Sequence, residues 1–92
     1  MRRLVIYDIS DSKLREKVSS MFADYGFIRI QKSAMIAEIN PRHLAYLKIQ
    51  LKRIKLQSND DIMILSLCRD CERDIFSVNS RVLPRKVSVV VY

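Results

Sequence analysis

Glycine is nearly absent from this chain: one residue in 92, beside no tryptophan, two prolines, two cysteines and one histidine. With 49% hydrophobic residues and that single glycine, the composition argues against intrinsic disorder. No apolar run approaches the roughly 18–20 residues of a membrane-spanning helix. A signal peptide is not expected either, because Asp8 cuts short the apolar run that follows Met1-Arg2-Arg3. The expectation is a cytoplasmic protein. Cys68 and Cys71 are too few for a four-thiolate zinc site within one chain. A symmetric dimer would supply four; a redox pair, or two small side chains at a strand end, are the other readings. His43, in the first turn of an expected helix, has no motif partner. Repeats, linkers and low-complexity segments are missing as well.

Acid is also in short supply: 10 Asp and Glu against 17 Lys and Arg leave a net charge of +7. So basic a domain points to nucleic acid or another anionic surface. Residues 1–92 make a single domain. A chain of this length buries only about 60–65% of its unfolded surface on folding, so some apolar area is expected to meet another subunit.

Leu4-Val5-Ile6-Tyr7-Asp8-Ile9 reads as a strand, rich in β-branched and aromatic residues. Alternation puts Leu4, Ile6 and Asp8 on one face and Val5, Tyr7 and Ile9 on the other. Both faces are apolar, which marks a central strand. Asp8 ends one of them and needs a cation, a donor or a route to water, since burying it unpaired costs several kcal/mol. Ser10-Asp11-Ser12 is a cap cluster, with Asp11 the expected N-cap. Leu14, Val18, Met21, Phe22 and Tyr25 then form one apolar helical stripe, and Gly26 stands where a left-handed C-cap is wanted.

Phe27 to Ile39 is extended, with its polar side switching near Gln31–Ser33, so a turn or bulge there divides it into two strands. Asn40-Pro41 opens a second helix with a buried seam of Leu44, Leu47, Leu51 and Ile54. Lys48, Lys52 and Lys55 form a parallel basic stripe at i, i+4 and i+7. Ser58-Asn59-Asp60-Asp61 turns the chain into Ile62–Cys68, which is apolar on both faces and suits another central strand. Residues 69–80 hold a short helix or a loop. Residues 86–92 read as a final strand that needs a pairing partner, for which a second subunit is the expected source.

The order β-α-β-β-α-β plus a last strand gives an α+β, ferredoxin-like sandwich with two helices on one face of an antiparallel sheet. The face without helices is apolar and calls for a partner, so the expected unit is a homodimer.

The residues now carry a resemblance. Tyr7-Asp8-Ile9-Ser10-Asp11 with Leu14, Arg15 and Val18, then Tyr25-Gly26, Arg29-Ile30-Gln31-x-Ser33 and Leu67-Cys68-x-x-Cys71, is similar to the small universal CRISPR-associated adaptation protein, the family named for endoribonuclease activity. The resemblance covers nearly the whole chain. It implies a ferredoxin-like homodimer in spacer acquisition, bridging dimers of the larger CRISPR integrase and contacting the spacer-precursor duplex. It also implies a Mg²⁺-dependent nuclease acting on single-stranded RNA or double-stranded DNA. Asp8 matches the metal-binding aspartate of the family, while Tyr7, Arg15 and Arg29 match positions tied to activity. Lys17 stands where some members carry Arg, losing the bidentate fork. Lys32 and Met35 depart from the usual aromatic pair.

The residues themselves support a metal at Asp8 by a separate route. Mg²⁺ takes one or two carboxylates and keeps several waters, and Mn²⁺ is the alternative hard ion. With Asp11 read as a cap, Asp8 stands alone in its chain, and a two-fold axis near the open sheet face would bring in a second Asp8. Arg15 or Arg29 would meet phosphate, with Lys17, Lys48, Lys52 and Lys55 as further nucleic-acid contacts. Three functions compete: a metal-dependent endonuclease, a non-catalytic scaffold that holds a duplex, and a toxin-like RNase outside CRISPR, since fold alone never settles function. If the dimer neutralises about six phosphates, duplex affinity falls about 10³-fold between roughly 50 and 200 mM salt. Fluorescence anisotropy across that range checks this, and a flat salt dependence would contradict duplex binding.

Overall fold

In a computed structural model, residues 1–84 of the chain are described. They run β1 (Arg2–Asp8), α1 (Ser12–Asp24), β2 (Ile28–Gln31), β3 (Ala34–Glu38), α2 (Pro41–Lys52), β4 (Asp61–Leu67) and α3 (Arg69–Arg73). The strands form one antiparallel sheet in the order β2-β3-β1-β4. This is the ferredoxin-like α+β arrangement. The expected last strand, 86–92, lies outside the described residues. Among those residues no helix is long and apolar enough to cross a membrane.

Strand alternation decides which side of the sheet each helix can cover. Val5, Tyr7 and Ile9 of β1 and the turn after it, with Met35, Ala37 and Ile39 from β3 and its end, share one face. They pack against Val18 and Phe22 of α1 and Leu44 and Leu47 of α2 in a single core. The Tyr7 ring stacks on Phe22 at 6.2 Å, and Phe22 meets Phe27 edge-on at 5.2 Å. Leu14, Met21, Tyr25, Leu51 and Ile54 close its margins, so both expected helical seams are the buried ones.

Local signals set the ends of both long helices. Asp11 caps α1, its carboxylate accepting from Lys13 N–H at 3.3 Å. At the other end Gly26 takes φ 89°, and its N–H donates to Ala23 O at 2.9 Å. A side chain in that left-handed position would be disfavoured, which accounts for the one glycine. Asn40 accepts from His43 N–H at 2.8 Å and Pro41 fills the first turn of α2. Between β2 and β3 the register shifts between Arg29 and Gln31, and Lys32-Ser33 form the turn. That irregularity produces the change of polar side seen in the sequence.

Two expectations are corrected. β4 lies at an edge of the described sheet rather than inside it. Its double-sided apolar character comes from Ile62 and Ile64 packing on the core while Met63 and Leu65 stay exposed on the other face. The helical lysine stripe also breaks: α2 ends at Lys52, so Lys55 lies in the loop beyond it.

Leu47 is fully buried between α2 and the sheet. Leu47→Ala is expected to lose about 2–5 kcal/mol of stability, and Leu47→Met less than about 1.5 kcal/mol. Urea unfolding followed by circular dichroism measures both.

Candidate functional site

The pleat of β1 separates two neighbouring residues that the resemblance treats as one site. Tyr7 is buried on the helix side, while Asp8 is exposed at the strand end on the opposite side. Opposite Asp8 in the β1–β4 ladder stands Asp61 of the same chain. Asp8 is therefore not the lone carboxylate it was expected to be. Like charges directly across a strand pair are unfavourable, and here both carboxylates lie open to solvent. Asp61 also accepts from Ile62 N–H at 2.8 Å.

The loop after Asp8 is held by Asp60. Its Oδ1 accepts from the Ser10 backbone N–H at 3.1 Å and lies 3.1 Å from the Ser10 hydroxyl. Its Oδ2 accepts from Gln57 N–H at 3.3 Å. The turn before β4 is thereby tied to the β1–α1 loop, and Asp8 and Asp61 are brought to the same end of the sheet. As a sequence, Asp60-Asp61 looked only like turn chemistry. Their second role depends on a pairing register that no local pattern specifies.

Tyr7, Arg15 and Arg29 come together on the helix side. The Arg29 guanidinium donates to the Tyr7 hydroxyl at 3.3 Å, to Lys32 O at 2.6 Å and to the Ser19 hydroxyl at 2.5 Å. Arg15 donates to Ile9 O at 3.0 Å, fastening α1 to the end of β1. Arg15, Ser19, Arg29 and Lys32, with Glu16 and Ser20, line an open cleft of about 430 Å³. Ser19, absent from the sequence reading, is its polar floor. Both guanidiniums bond neutral oxygens rather than carboxylates, an arrangement suited to a phosphate. It lies across the sheet from Asp8, and the structure does not gather the four expected catalytic residues into one pocket.

The remaining basic residues form a separate surface. Lys17, Arg53 and Lys55 line a groove of about 440 Å³ beside Leu14 and Ile54. Leaving the helix is what allows Lys55 to reach the side of α1. Lys48 and Lys52 stay exposed on α2.

Among the described residues no group of three or more His, Cys, Asp or Glu is arranged for a metal. The Asp8–Asp61 pair nevertheless fits Mg²⁺, which needs only one or two carboxylate oxygens and fills its remaining positions with water or substrate oxygen. Hard oxygen donors open to solvent suit Mg²⁺ or Mn²⁺ and not a soft ion.

The family profile described as "CRISPR associated protein Cas2" matches residues 1–75. The chain is 37% identical over 75 residues to the CRISPR-associated endoribonuclease Cas2 of Korarchaeum cryptofilum, covering 82% of this chain and 77% of that one. It is 30% identical over 82 residues to a CRISPR-associated endonuclease Cas1/endonuclease Cas2 fusion of Thermoproteus tenax, covering 89% of this chain and 30% of the fusion. Its fold is similar to the crystal structure of Streptococcus pyogenes Cas2 at pH 6.5, with a TM-score of 0.72 at 24% identity over 85% of this chain and 99% of that one. With a profile spanning most of its length and relatives of this similarity, the chain belongs to the Cas2 family of CRISPR-associated proteins.

Proposed function

We propose that this protein is a metal-dependent endonuclease of CRISPR spacer acquisition, acting as a homodimer on RNA or DNA. The observation that carries the reading is the pair Asp8 and Asp61, exposed in register on the sheet face opposite α1 and α2. The endoribonuclease names of its relatives support the activity. The fused relative supports the Cas1 endonuclease, the larger CRISPR integrase, as a partner. Family membership leaves the toxin-like RNase outside CRISPR without support.

Asp8 and Asp61 would hold Mg²⁺ or Mn²⁺, which when bound supplies an activated water and positive charge for a phosphodiester. Asp60 keeps the carboxylates in place through Ser10. Arg15 and Arg29, with Lys17, Lys48, Lys52 and Lys55, draw in and hold the phosphate backbone. The open face also carries Ile6, Ile28, Met63 and Leu65, each between 37% and 54% exposed. A second copy covering this face would bury them and draw the two carboxylate pairs toward each other.

A second reading rests on Arg29. Its guanidinium is committed to Tyr7, Ser19 and Lys32 on the side away from Asp8. That arrangement favours a scaffold that grips a duplex for Cas1 without cutting it. Cleavage of labelled single-stranded RNA and duplex DNA, in Mg²⁺ and in EDTA, separates the two readings. For the nuclease, Asp8→Asn abolishes Mg²⁺-dependent cleavage, and Asp61→Asn raises the Mg²⁺ needed for half-maximal rate about tenfold or more. Cleavage by Asp8→Asn with unchanged Mg²⁺ dependence would falsify the assignment. A scaffold binds duplex and cuts nothing under any of these conditions. Separately, Ile6→Glu on the open face is expected to yield a folded monomer in sedimentation equilibrium at concentrations where the wild type is a dimer.

A further inference from the structure

Cys68 and Cys71 take no part in the site described above. Where β4 ends, Cys68 caps the short α3, and its sulfur accepts from the Cys71 backbone N–H at 3.3 Å. The same turn brings the two Sγ atoms to 3.0 Å. A disulfide is roughly 2.05 Å long, so about 1 Å of approach separates the dithiol from a bond. The two cysteines are not joined in a disulfide; Cys68 is half-buried and Cys71 exposed, so a small reagent can reach them. Among the described residues no third His, Cys, Asp or Glu joins them in a metal-holding group. The Cys71 thiol, and then its backbone N–H, hold the Cys68 thiol below its ordinary range. The contact with Cys68 correspondingly raises the thiol of Cys71. The pair is therefore asymmetric, with Cys68 the more readily ionised thiol of the two.

We propose that Cys68 and Cys71 form a reversible dithiol–disulfide couple, oxidised by exchange with a small-molecule disulfide such as oxidised glutathione. The Cys68 thiolate attacks one sulfur of that disulfide, the S–S bond breaks, and one thiolate leaves and takes a proton from water. Cys71 then gives its proton to solvent and attacks the Cys68 sulfur, expelling the second thiolate. The two cysteines lose two electrons and two protons, and the small disulfide is reduced to two thiols.

The position of the pair gives the bond a structural consequence. Glu72, one residue after Cys71, receives Arg2 through Nε at 2.9 Å and through a terminal nitrogen at 2.5 Å. These side chains are only 13% and 22% exposed. A further nitrogen of Arg2 donates to Pro84 O at 2.7 Å. Arg2 thus joins the start of β1, α3 and the backbone at Pro84. A five-residue helix is marginal by itself, because helix nucleation is unfavourable. A covalent staple across its first turn holds Glu72 in place to receive Arg2.

The test uses the full-length protein in glutathione buffers of varied oxidised-to-reduced ratio, read by intact mass and thiol alkylation. Wild type is expected to lose both alkylatable thiols together, with the mass falling by two hydrogens and no lasting adduct. Cys71→Ser is expected to retain one glutathione on Cys68, an adduct that wild type releases about tenfold or more faster because the resolving thiol is adjacent. Amide exchange over residues 69–74 should slow in the oxidised protein and not change in the double serine variant. A persistent glutathione adduct on wild type, a disulfide between chains on non-reducing gels, or thiols that survive excess oxidised glutathione would each overturn the couple. Unaltered exchange in the oxidised form would overturn its link to Glu72.

Discussion

Neighbouring residues in a strand point to opposite sides of the sheet, and this constraint organises the whole molecule. In β1 it sends Tyr7 into the core against Phe22 and leaves Asp8 outside among Leu4 and Ile6. Arg29 reaches Tyr7 from the edge strand β2, so the guanidinium belongs to the helix side as well. The matched residues therefore split, with Tyr7, Arg15 and Arg29 on one face and Asp8, opposite Asp61, on the other. A substrate engaging both would have to pass the edge or end of the sheet.

The carboxylate pair depends on a register. β1 and β4 are antiparallel and aligned from Arg2–Leu67 to Asp8–Asp61, and a slip of one residue would turn Asp61 toward the helices. Two features oppose such a slip. Ile62 and Ile64 must reach the core, and Asp60 is fastened to Ser10 through both backbone and hydroxyl. Core packing thus supports a pairing of like charges that is unfavourable by itself.

Much of this was legible from residue order. Asp11 and Asn40 cap helices where their side-chain chemistry predicts, and Gly26 occupies the one left-handed position that closes α1. The polar switch at Gln31–Ser33 is a turn next to a bulge. The place of β4 at an edge of the described sheet was not legible, because apolar residues on both sides of a strand look alike whether the second face meets a helix, another subunit or solvent. Lys55 was placed on the α2 stripe because periodicity continues past the point where hydrogen bonding stops.

The sequence by itself determined β1 to β4 and the two long helices, their caps, the buried seams and the basic charge, since each depends on short-range periodicity or on composition. Tertiary structure alone decided that Asp8 faces Asp61, that Ser19 joins Arg29, and that Glu72 meets Arg2. Those contacts join residues 10 to 70 positions apart, and only the packing of the sheet and its three helices sets their partners.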